Sequence, residues 1–155
     1  MNSKKIVSAA LVTAAVATSA GFAVNASGQG APGTTLTLSA KPTGGVPIDL
    51  GRKGVSPGDQ FLEHGVLRDP SGHPAGHFQM VTQLVSGNAR HGGEQSSLTL
   101  YLAGGQVQVT GGHATASRFV LPVVGGTGNY TGAAGTLTVA PAKGESEQLT
   151  VALQG

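Results

Sequence analysis

Cysteine and tryptophan are both absent from this 155-residue sequence, and only 4% of its residues are aromatic. Without cysteine the chain can form no disulfide, no zinc–thiolate centre and no thiol nucleophile. Charge is also scarce, since 10% of the residues are Asp, Glu, Lys or Arg. Neither a basic patch nor interleaved aromatic and basic residues are present, which argues against a nucleic-acid partner. Stability must therefore come from packing and from a well-paired backbone.

The first 26 residues have the pattern of a secretory signal peptide. Lys4 and Lys5 form the charged end, residues 6–24 form an apolar, Ala-rich core, and Val24-Asn25-Ala26 is a small-x-small cleavage site. A retained membrane anchor is the alternative, but Ser and Thr dilute the core and no later apolar stretch has spanning length. We therefore expect a secreted, extracellular protein with no stable membrane span after cleavage near Ser27.

Removing the signal changes the charge balance of the chain. The full sequence has 9 Lys and Arg against 7 Asp and Glu, and without Lys4 and Lys5 the two signs balance. The isoelectric point of 9.2 therefore reflects mainly the signal, and a neutral chain does not oppose self-association. The remaining length of about 129 residues, 155 less 26, suits one domain. We expect a flexible lead-in at 27–33 and a single domain at 34–155.

Period-two alternation of apolar and polar residues, interrupted by Gly- and Pro-rich turns, recurs along the rest of the chain. It predicts eight short strands, at 34–40, 60–68, 75–85, 97–102, 106–110, 117–124, 135–140 and 147–153. Residues 41–58 are expected to form a long loop across one mouth, and Gly65 to mark a bulge. Asp69-Pro70-Ser71-Gly72 has the sequence of a tight turn. No segment has a sustained helical period, so the pattern predicts an all-β barrel or sandwich.

The segment Leu121–Val139, LPVVGGTGNYTGAAGTLTV, is the most informative of the chain. An apolar strand enters a bend containing Gly125, Gly126 and Gly128 and leaves as an alternating strand. Glycine at this density indicates backbone with positive φ or in close contact with another backbone. Tyr130 is the one large side chain in the bend, so we expect its ring to fold back as a plug over apolar surface.

This segment resembles the PVVGGTGKF motif of plant dirigent proteins and the ITGG motif of allene oxide cyclases. The likeness continues in Gly58-Asp59, in GQVQVTG at 105–111 and in LTVALQG at 149–155, and it covers roughly residues 56–155. The two families share one fold, so the resemblance implies an eight-stranded, antiparallel, closed β-barrel of calycin type. It also implies an apolar small-molecule ligand, no cofactor, and a homo-oligomer, dimeric or trimeric, formed through an outer barrel face.

In a closed barrel, alternate residues of each strand face the lumen. The apolar residues expected there predict a ligand-binding surface formed by Phe61, Phe78, Met80, Tyr101, Phe119, Leu121 and Tyr130. The pattern does not fix which set of alternate residues faces inward. A lumen filled by its own side chains is the alternative, because eight strands enclose little more than side chains or one small ligand.

Ionisable residues within the strands are candidates for catalysis. Glu63 shares a face with Phe61, and Arg118 immediately precedes the apolar run at Phe119. We predict both in the lumen, where a carboxylate can stabilise a carbocation or act as a base and a guanidinium can hold an oxygen. Placement on the solvent face is the alternative.

Two further motifs predict no site. His73 and His77 are spaced as a metal pair, but no acidic ligand recurs nearby and Pro74 indicates that His73 still belongs to a turn, so no metal is expected. Gly126-Thr127-Gly128 precedes a strand, whereas a nucleotide-binding glycine loop precedes a helix.

The resemblance supports the barrel fold more fully than it supports a particular reaction, because functional residues of both families are missing. Allene oxide cyclases place a glutamate on the first strand and a cysteine on the third, where this chain offers Thr35, Thr37 and Ser39 and then Phe78. The first-strand aspartate of dirigent proteins is missing too. We expect an exported barrel that binds an apolar small molecule and guides a cofactor-free cyclisation, isomerisation or stereoselective coupling. A non-catalytic extracellular carrier or interaction module for a hydrophobic ligand is the alternative.

Overall fold

The computed structural model describes residues 33–88 and 90–154. The expected signal peptide, and the lead-in up to residue 32, lie outside the described residues. Eight strands follow one another: β1 (Thr35–Ile48), β2 (Gln60–Arg68), β3 (Pro74–Gly87), β4 (Gly92–Leu102), β5 (Gly105–Ala114), β6 (Phe119–Gly126), β7 (Ala134–Pro141) and β8 (Glu147–Gln154). One 3-10 turn, Gly128–Tyr130, lies between β6 and β7. Over the described ranges, no helix has the length and apolarity needed to cross a membrane.

Every strand pairs antiparallel with its neighbours in chain order, and β1 also pairs with β8, so the sheet closes into a barrel. The expected closed eight-stranded antiparallel barrel is therefore confirmed, and the sandwich is excluded. A closed barrel leaves no sheet edge running the full length of the molecule. It also separates every strand into residues that face the lumen and residues that face outward.

The first strand is longer than the sequence predicts. Residues 41–48 were expected in a loop, but β1 continues through them to Ile48 with a register shift between Pro42 and Gly44. β8 accompanies β1 only as far as the pair Ala40 and Glu147, so beyond Ala40 the strand is bonded to β2 alone. Proline is tolerated on a strand that needs partners on one side only, which explains how Pro42 and Pro47 fit.

β4 and β5 also extend beyond their predicted ends, and this extension creates the candidate site. β4 begins at Gly92 instead of Ser97, and β5 ends at Ala114 instead of Thr110. Glycine and small polar residues have low intrinsic preference for strands, yet cross-strand partners on both sides impose the conformation here. Glu94 is paired with His113 in this added section.

The inward-facing residues are apolar in the middle of the barrel. The most deeply buried of them come from all eight strands: Leu38, Leu67, Phe78, Leu98, Leu100, Val107, Val109, Leu121, Val123, Leu137, Val139, Leu149, Val151 and Leu153. They form one continuous core cluster. The apolar alternation expected to face inward does so, and side chains fill the central part of the lumen.

Gly65 shows how tightly this interior is packed. The expected bulge at Gly65 is wrong, because the register shift lies opposite, in β1. A Cβ atom at residue 65 would lie 2.6 Å from Cε1 of Phe78 and would also collide with the carbonyl oxygen of Lys41. The glycine is therefore required because the ring of Phe78 lies over its backbone.

The glycine-rich bend between β6 and β7 is hydrogen-bonded to the start of β5. The amide of Thr127 donates to the carbonyl of Gln106 at 2.9 Å, and the amide of Gln106 donates to Oγ1 of Thr127 at 3.1 Å. Gly128 has a φ of +60°, and a side chain there would collide with the carbonyl of Gly104. Tyr130 is half-buried and packs against the core cluster, as a plug would.

We expect Gly65→Ala to destabilise the barrel by about 1–3 kcal/mol, the usual range for overpacking a tight core. Gly125→Ala is the matched control, because a Cβ at residue 125 meets nothing within 4 Å. Urea unfolding followed by circular dichroism gives both free energies of unfolding. Equal stability of the two variants would contradict the packing described for Gly65.

Candidate functional site

The two ends of the barrel have different chemistry. One end, called here the Tyr130 end, carries the 3-10 turn and the short connections at 69–73 and 103–104. The opposite end, called the Glu147 end, carries the loops at 49–59, 115–118 and 142–146. Polar residues at inward-facing positions are concentrated toward the Glu147 end: Glu63, Thr82, Glu94, Ser96, His113 and Glu147.

Two carboxylates lie on either side of β1 in this end of the lumen. Glu147 begins β8 opposite Ala40 of β1, and Glu63 lies on β2, the other neighbour of β1. Burial raises the pKa of the Glu63 carboxyl, and the charge of His64 opposes this in part. Burial raises the pKa of Glu147 as well, and the negative charge of Glu63 raises it further. Both carboxyls therefore hold their protons more tightly than a free glutamate does, which suits them to exchange protons with a ligand.

A hydrogen-bonded chain lies on the neighbouring strands β3, β4 and β5. Oγ1 of Thr82 is 2.8 Å from Oγ of Ser96, which is 2.9 Å from Nε2 of His113. Nδ1 of His113 is 3.0 Å from the carbonyl oxygen of Ala114 and 3.7 Å from Oε2 of Glu94. Among the described residues, every buried side-chain nitrogen and oxygen has a hydrogen-bond partner.

Apolar side chains accompany these polar groups. The ring of Phe119 stacks on the imidazole of His113, with centroids 3.9 Å apart and planes at 4°. Phe61 and Met80 are half-buried at inward-facing positions on β2 and β3. Below them Phe78 and Leu121 are buried in the core. This end of the lumen therefore combines an aromatic and apolar wall with ionisable groups, a combination typical of small-molecule sites.

The loop at 49–59 is held to the end of β3 by a buried aspartate. Oδ1 of Asp59 accepts the amide of Leu50 and Oδ2 accepts the amide of Ser56, both at 2.8 Å. The carbonyl of Asp59 accepts the amide of Leu84 at 2.9 Å. The Gly58-Asp59 pair of the sequence resemblance is therefore a loop anchor.

Two of the predicted site residues lie elsewhere. Arg118 is exposed in the bend before β6, so its predicted lumen position is wrong. The strand begins one residue later than Arg118, and Phe119 takes the inward position. Tyr101 is on the outer face, where it stacks on His77 with centroids 4.4 Å apart. Its lumen position is also wrong, because Leu100 and Leu102 are the inward residues of that stretch of β4.

The histidine pair singled out in the sequence is separated by the fold. His73 lies in the turn before β3, where Nδ1 is 3.3 Å from Oδ2 of Asp69, and His77 contacts Tyr101 on the outer face. Residues 33–88 and 90–154 contain no group of three His, Asp or Glu side chains arranged to hold a metal ion.

The sequence reading missed the polar chain and the second carboxylate. Glu94 and Ser96 continue the inward-facing alternation of Leu98 and Leu100. This was not recognised because the predicted β4 began only at Ser97. Glu147 shares its face with Leu149 and Val151, but it was interpreted only as the start of a strand. Extending the alternation of β4 and β5 by two or three residues would have found the polar chain, whereas Glu147 already stood at an inward position of the predicted strand.

Two open depressions lie near these groups. One, of about 320 Å³, is lined by the second half of β1 and the start of β2 and includes Phe61 and Glu63. The other, of about 570 Å³, spans β2 to β5 and is lined mostly by outward-facing residues, among them Leu62, Val81 and Val124. Glu63 lines both depressions, and the second lies mainly on the outer face.

No family model and no curated protein sequence matches the chain. Solved structures do match it. A pyocyanin demethylase is 23% identical with a TM-score of 0.72, and the match covers 78% of this chain and 100% of that one. An exo-specific intermolecular Diels-Alderase is 14% identical with a TM-score of 0.63 and coverages of 79% and 100%. A pterocarpan synthase dirigent protein is 13% identical with a TM-score of 0.59 and coverages of 78% and 92%.

These matches define the class of the fold. The chain has the closed eight-stranded barrel shared by dirigent proteins and by Diels-Alderase cyclases. The barrel implied by the sequence resemblance is therefore the fold that these structures share. At these identities the likeness is one of fold, and the chemistry must be argued from the residues of this chain.

We expect Glu147→Gln to change how stability depends on pH. A carboxyl whose pKa is raised in the folded state adds stability below its unfolded value, about the ordinary 4.5, and that stability is lost as pH rises through the folded pKa. Relative to the wild type, Glu147→Gln should therefore gain stability as the pH rises from weakly acidic to neutral. Thermal unfolding across this range measures the difference, with the exposed Glu145→Gln as control. Parallel curves for wild type and Glu147→Gln would show that Glu147 is not buried beside Glu63.

Proposed function

We propose that this protein is an exported barrel that binds an apolar small molecule at the Glu147 end of its lumen. There it guides a cyclisation, isomerisation or stereoselective coupling without a cofactor. One observation carries the proposal: two inward-facing carboxylates with raised pKa values share this end with half-buried Phe61, Met80 and Phe119. The neighbours of the same fold include a Diels-Alderase and a dirigent protein, which supports this class of reaction.

The packing of the barrel locates the ligand. Phe78, Leu100 and Leu121 fill the central lumen with side chains that are almost fully buried, and Tyr130 covers the opposite end. A ligand is therefore accommodated above this floor, against the half-buried residues of the Glu147 end and the adjoining 320 Å³ depression. Its apolar body contacts Phe61 and Met80, and its polar atoms meet the carboxylates.

The mechanism combines orientation with acid–base assistance. Holding a flexible substrate in one reactive conformer removes much of the entropic part of a ring-closure barrier. Glu63 serves as the base or stabilises a developing positive charge. Glu147, whose pKa is raised by burial and by the charge of Glu63, serves as the acid. A barrel that only carries its ligand would show binding without conversion.

Binding is tested with Nile red, a neutral apolar dye whose fluorescence rises in apolar surroundings. We expect Phe61→Ala to weaken binding by about tenfold, the usual effect of losing one buried aromatic contact. Val120→Ala is the control, because Val120 is exposed on the outer face of β6 and lines neither depression. Equal losses in the two variants would place the dye on the outer surface and contradict the lumen site.

Catalysis is tested with the ligand that the protein retains in its source. Mass spectrometry of small molecules extracted from natively purified protein identifies the ligand, and chromatography then follows its formation from the precursor. We expect Glu63→Gln to lower the rate at least about 100-fold, the scale of losing one acid–base group, while Glu145→Gln leaves it unchanged. Unimpaired turnover in Glu63→Gln would remove the carboxylate from the mechanism. Tight retention without conversion would favour the carrier.

We further propose that copies of the chain associate through the outer face of β1 to β3. Val46 is paired with Leu62, and Leu62 with Val81, so three exposed apolar side chains form a row across three strands. Burying such a row is favourable, and the balanced charge after signal removal does not oppose it. A second copy of the same face, which is self-complementary, is the partner.

We expect Val81→Glu to shift the protein to monomer, because a carboxylate in the centre of the row would have to be desolvated. Size-exclusion chromatography with light scattering measures the mass. Val120→Glu is the control, since Val120 is also exposed but lies on β6, away from the row. A wild type that is monomeric at all concentrations would contradict the association.

A further inference from the structure

The hydrogen bonds of the polar chain on β3 to β5 can all donate toward His113. This order leaves an acceptor at the other end of the chain and implies a ligand that donates a hydrogen bond. We propose that Thr82, Ser96 and His113 form a proton relay that deprotonates the hydroxyl group of a phenol or enol bound at the Glu147 end. The proposal rests on the lumen binding described above. It adds the chemical class of the ligand and a base distinct from Glu63 and Glu147.

The relay crosses three strands through two short hydrogen bonds. Thr82 and Ser96 are direct cross-strand partners on β3 and β4, and their hydroxyl oxygens are 2.8 Å apart. Gly111 stands opposite Ser96 on β5 and has no side chain to occupy that space. The imidazole of His113, two residues along, reaches Ser96 instead, with Nε2 at 2.9 Å from Oγ.

The carbonyl of Ala114 sets the direction of the relay. A carbonyl oxygen only accepts hydrogen bonds, so Nδ1 of His113, 3.0 Å away, carries the proton. In the neutral ring Nε2 is then the acceptor, and the hydroxyl of Ser96 donates to it. Ser96 in turn accepts the hydroxyl proton of Thr82. The oxygen of Thr82 is therefore left with a free lone pair, so the relay ends in an acceptor.

Burial shows which end meets the ligand. Ser96 is fully buried, and the side chain of His113 is 5% exposed. Thr82 is less deeply buried and stands opposite Phe61 on β2, one step along the lumen wall from Glu63. The accessible end is thus Thr82, beside the proposed ligand position, and a free acceptor there selects a ligand that donates a hydrogen bond.

The proton transfer balances without an added reagent. The ligand O–H bond breaks and its proton goes to Oγ1 of Thr82 while the proton of Thr82 passes to Ser96. The proton of Ser96 then forms the new bond to Nε2 of His113. The ligand becomes an oxyanion and His113 an imidazolium. Glu94 on β4 is the charged group facing His113, with Oε2 at 3.7 Å from Nδ1, and Phe119 on the other side is uncharged. The carboxylate stabilises the imidazolium, and the reverse sequence returns the proton.

The direction of the relay is tested without a ligand. Long-range proton–nitrogen correlation spectra of 15N-labelled protein at neutral pH distinguish the two histidine tautomers, and His113→Gln assigns the signals. We expect the tautomer with the proton on Nδ1. A proton on Nε2 would reverse the hydrogen bond to Ser96 and overturn the proposal.

The transfer itself is tested with p-nitrophenol, whose absorbance separates phenol from phenolate. At a pH about one unit below the pKa of the free probe, we expect the bound probe to be largely phenolate in the wild type. Ser96→Ala should lower the phenolate-to-phenol ratio by about tenfold, one pKa unit. Ser97→Ala is the matched control, because it removes an outward hydroxyl that makes a 2.9 Å bond to Thr110, and it should leave the ratio unchanged.

The outcomes separate the relay from the binding site. If Ser96→Ala binds p-nitrophenol as tightly as the wild type and ionises it equally, the relay is overturned and the lumen site stands. If the wild type does not bind the probe although Nile red occupies the lumen, the proposed ligand class is wrong. Thr82→Val, which preserves volume and removes only the hydroxyl, repeats the test if Ser96→Ala unfolds, and an unchanged ratio there also overturns the relay.

Discussion

The pairing of β1 with β8 is the constraint on which the rest of the molecule depends. Residues 35–40 are in register with residues 147–152, and this contact converts an eight-stranded sheet into a tube. Closure gives each strand an inside and an outside, and it brings the last strand beside the first. The carboxylate pair exists only because of it, since Glu147 and Glu63 are 84 positions apart in sequence and closure places their strands on the two sides of β1.

Small residues shape the interior that closure creates. Ala40 lies between the strands that carry Glu63 and Glu147, Gly65 makes room for the ring of Phe78, and Gly111 lets Pro122 of β6 pack against β5. Large apolar residues fill the centre and polar residues gather toward one end. This division lets a domain without disulfides retain a dense core. It also keeps ionisable groups in a partly desolvated environment, where electrostatic interactions are stronger than in water.

Much of the fold could be predicted from the sequence, because alternation and glycine-rich turns are local signals. The bounds of β2 and the inward face of most strands could be predicted in this way, and the motif around Gly128 indicated the correct fold. The second half of β1 was not readable, since Pro42 and Pro47 normally end strands and are tolerated here only because β8 stops short. The start of β4 was hidden for a related reason: Gly92 and Gly93 adopt strand geometry only through their neighbours.

The site was less predictable than the fold, because it depends on register between distant strands. Glu63 was identified from its apolar companions. Arg118 was predicted inside because it immediately precedes the apolar run, but adjacent residues of a strand point to opposite faces, so the inward position of Phe119 directs Arg118 outward. Nothing in the local sequence indicates that Ser96 and His113 form a hydrogen bond, because only the pairing of β4 with β5 brings them together.

The unequal lengths of β1 and β8 have one more effect. Beyond Ala40, β1 has no β8 partner, and its second half lines the depression that includes Glu63. An unpaired strand edge ordinarily invites another chain to add a strand. Because Pro42 and Pro47 supply no amide hydrogens, this edge is a poor template for such an addition.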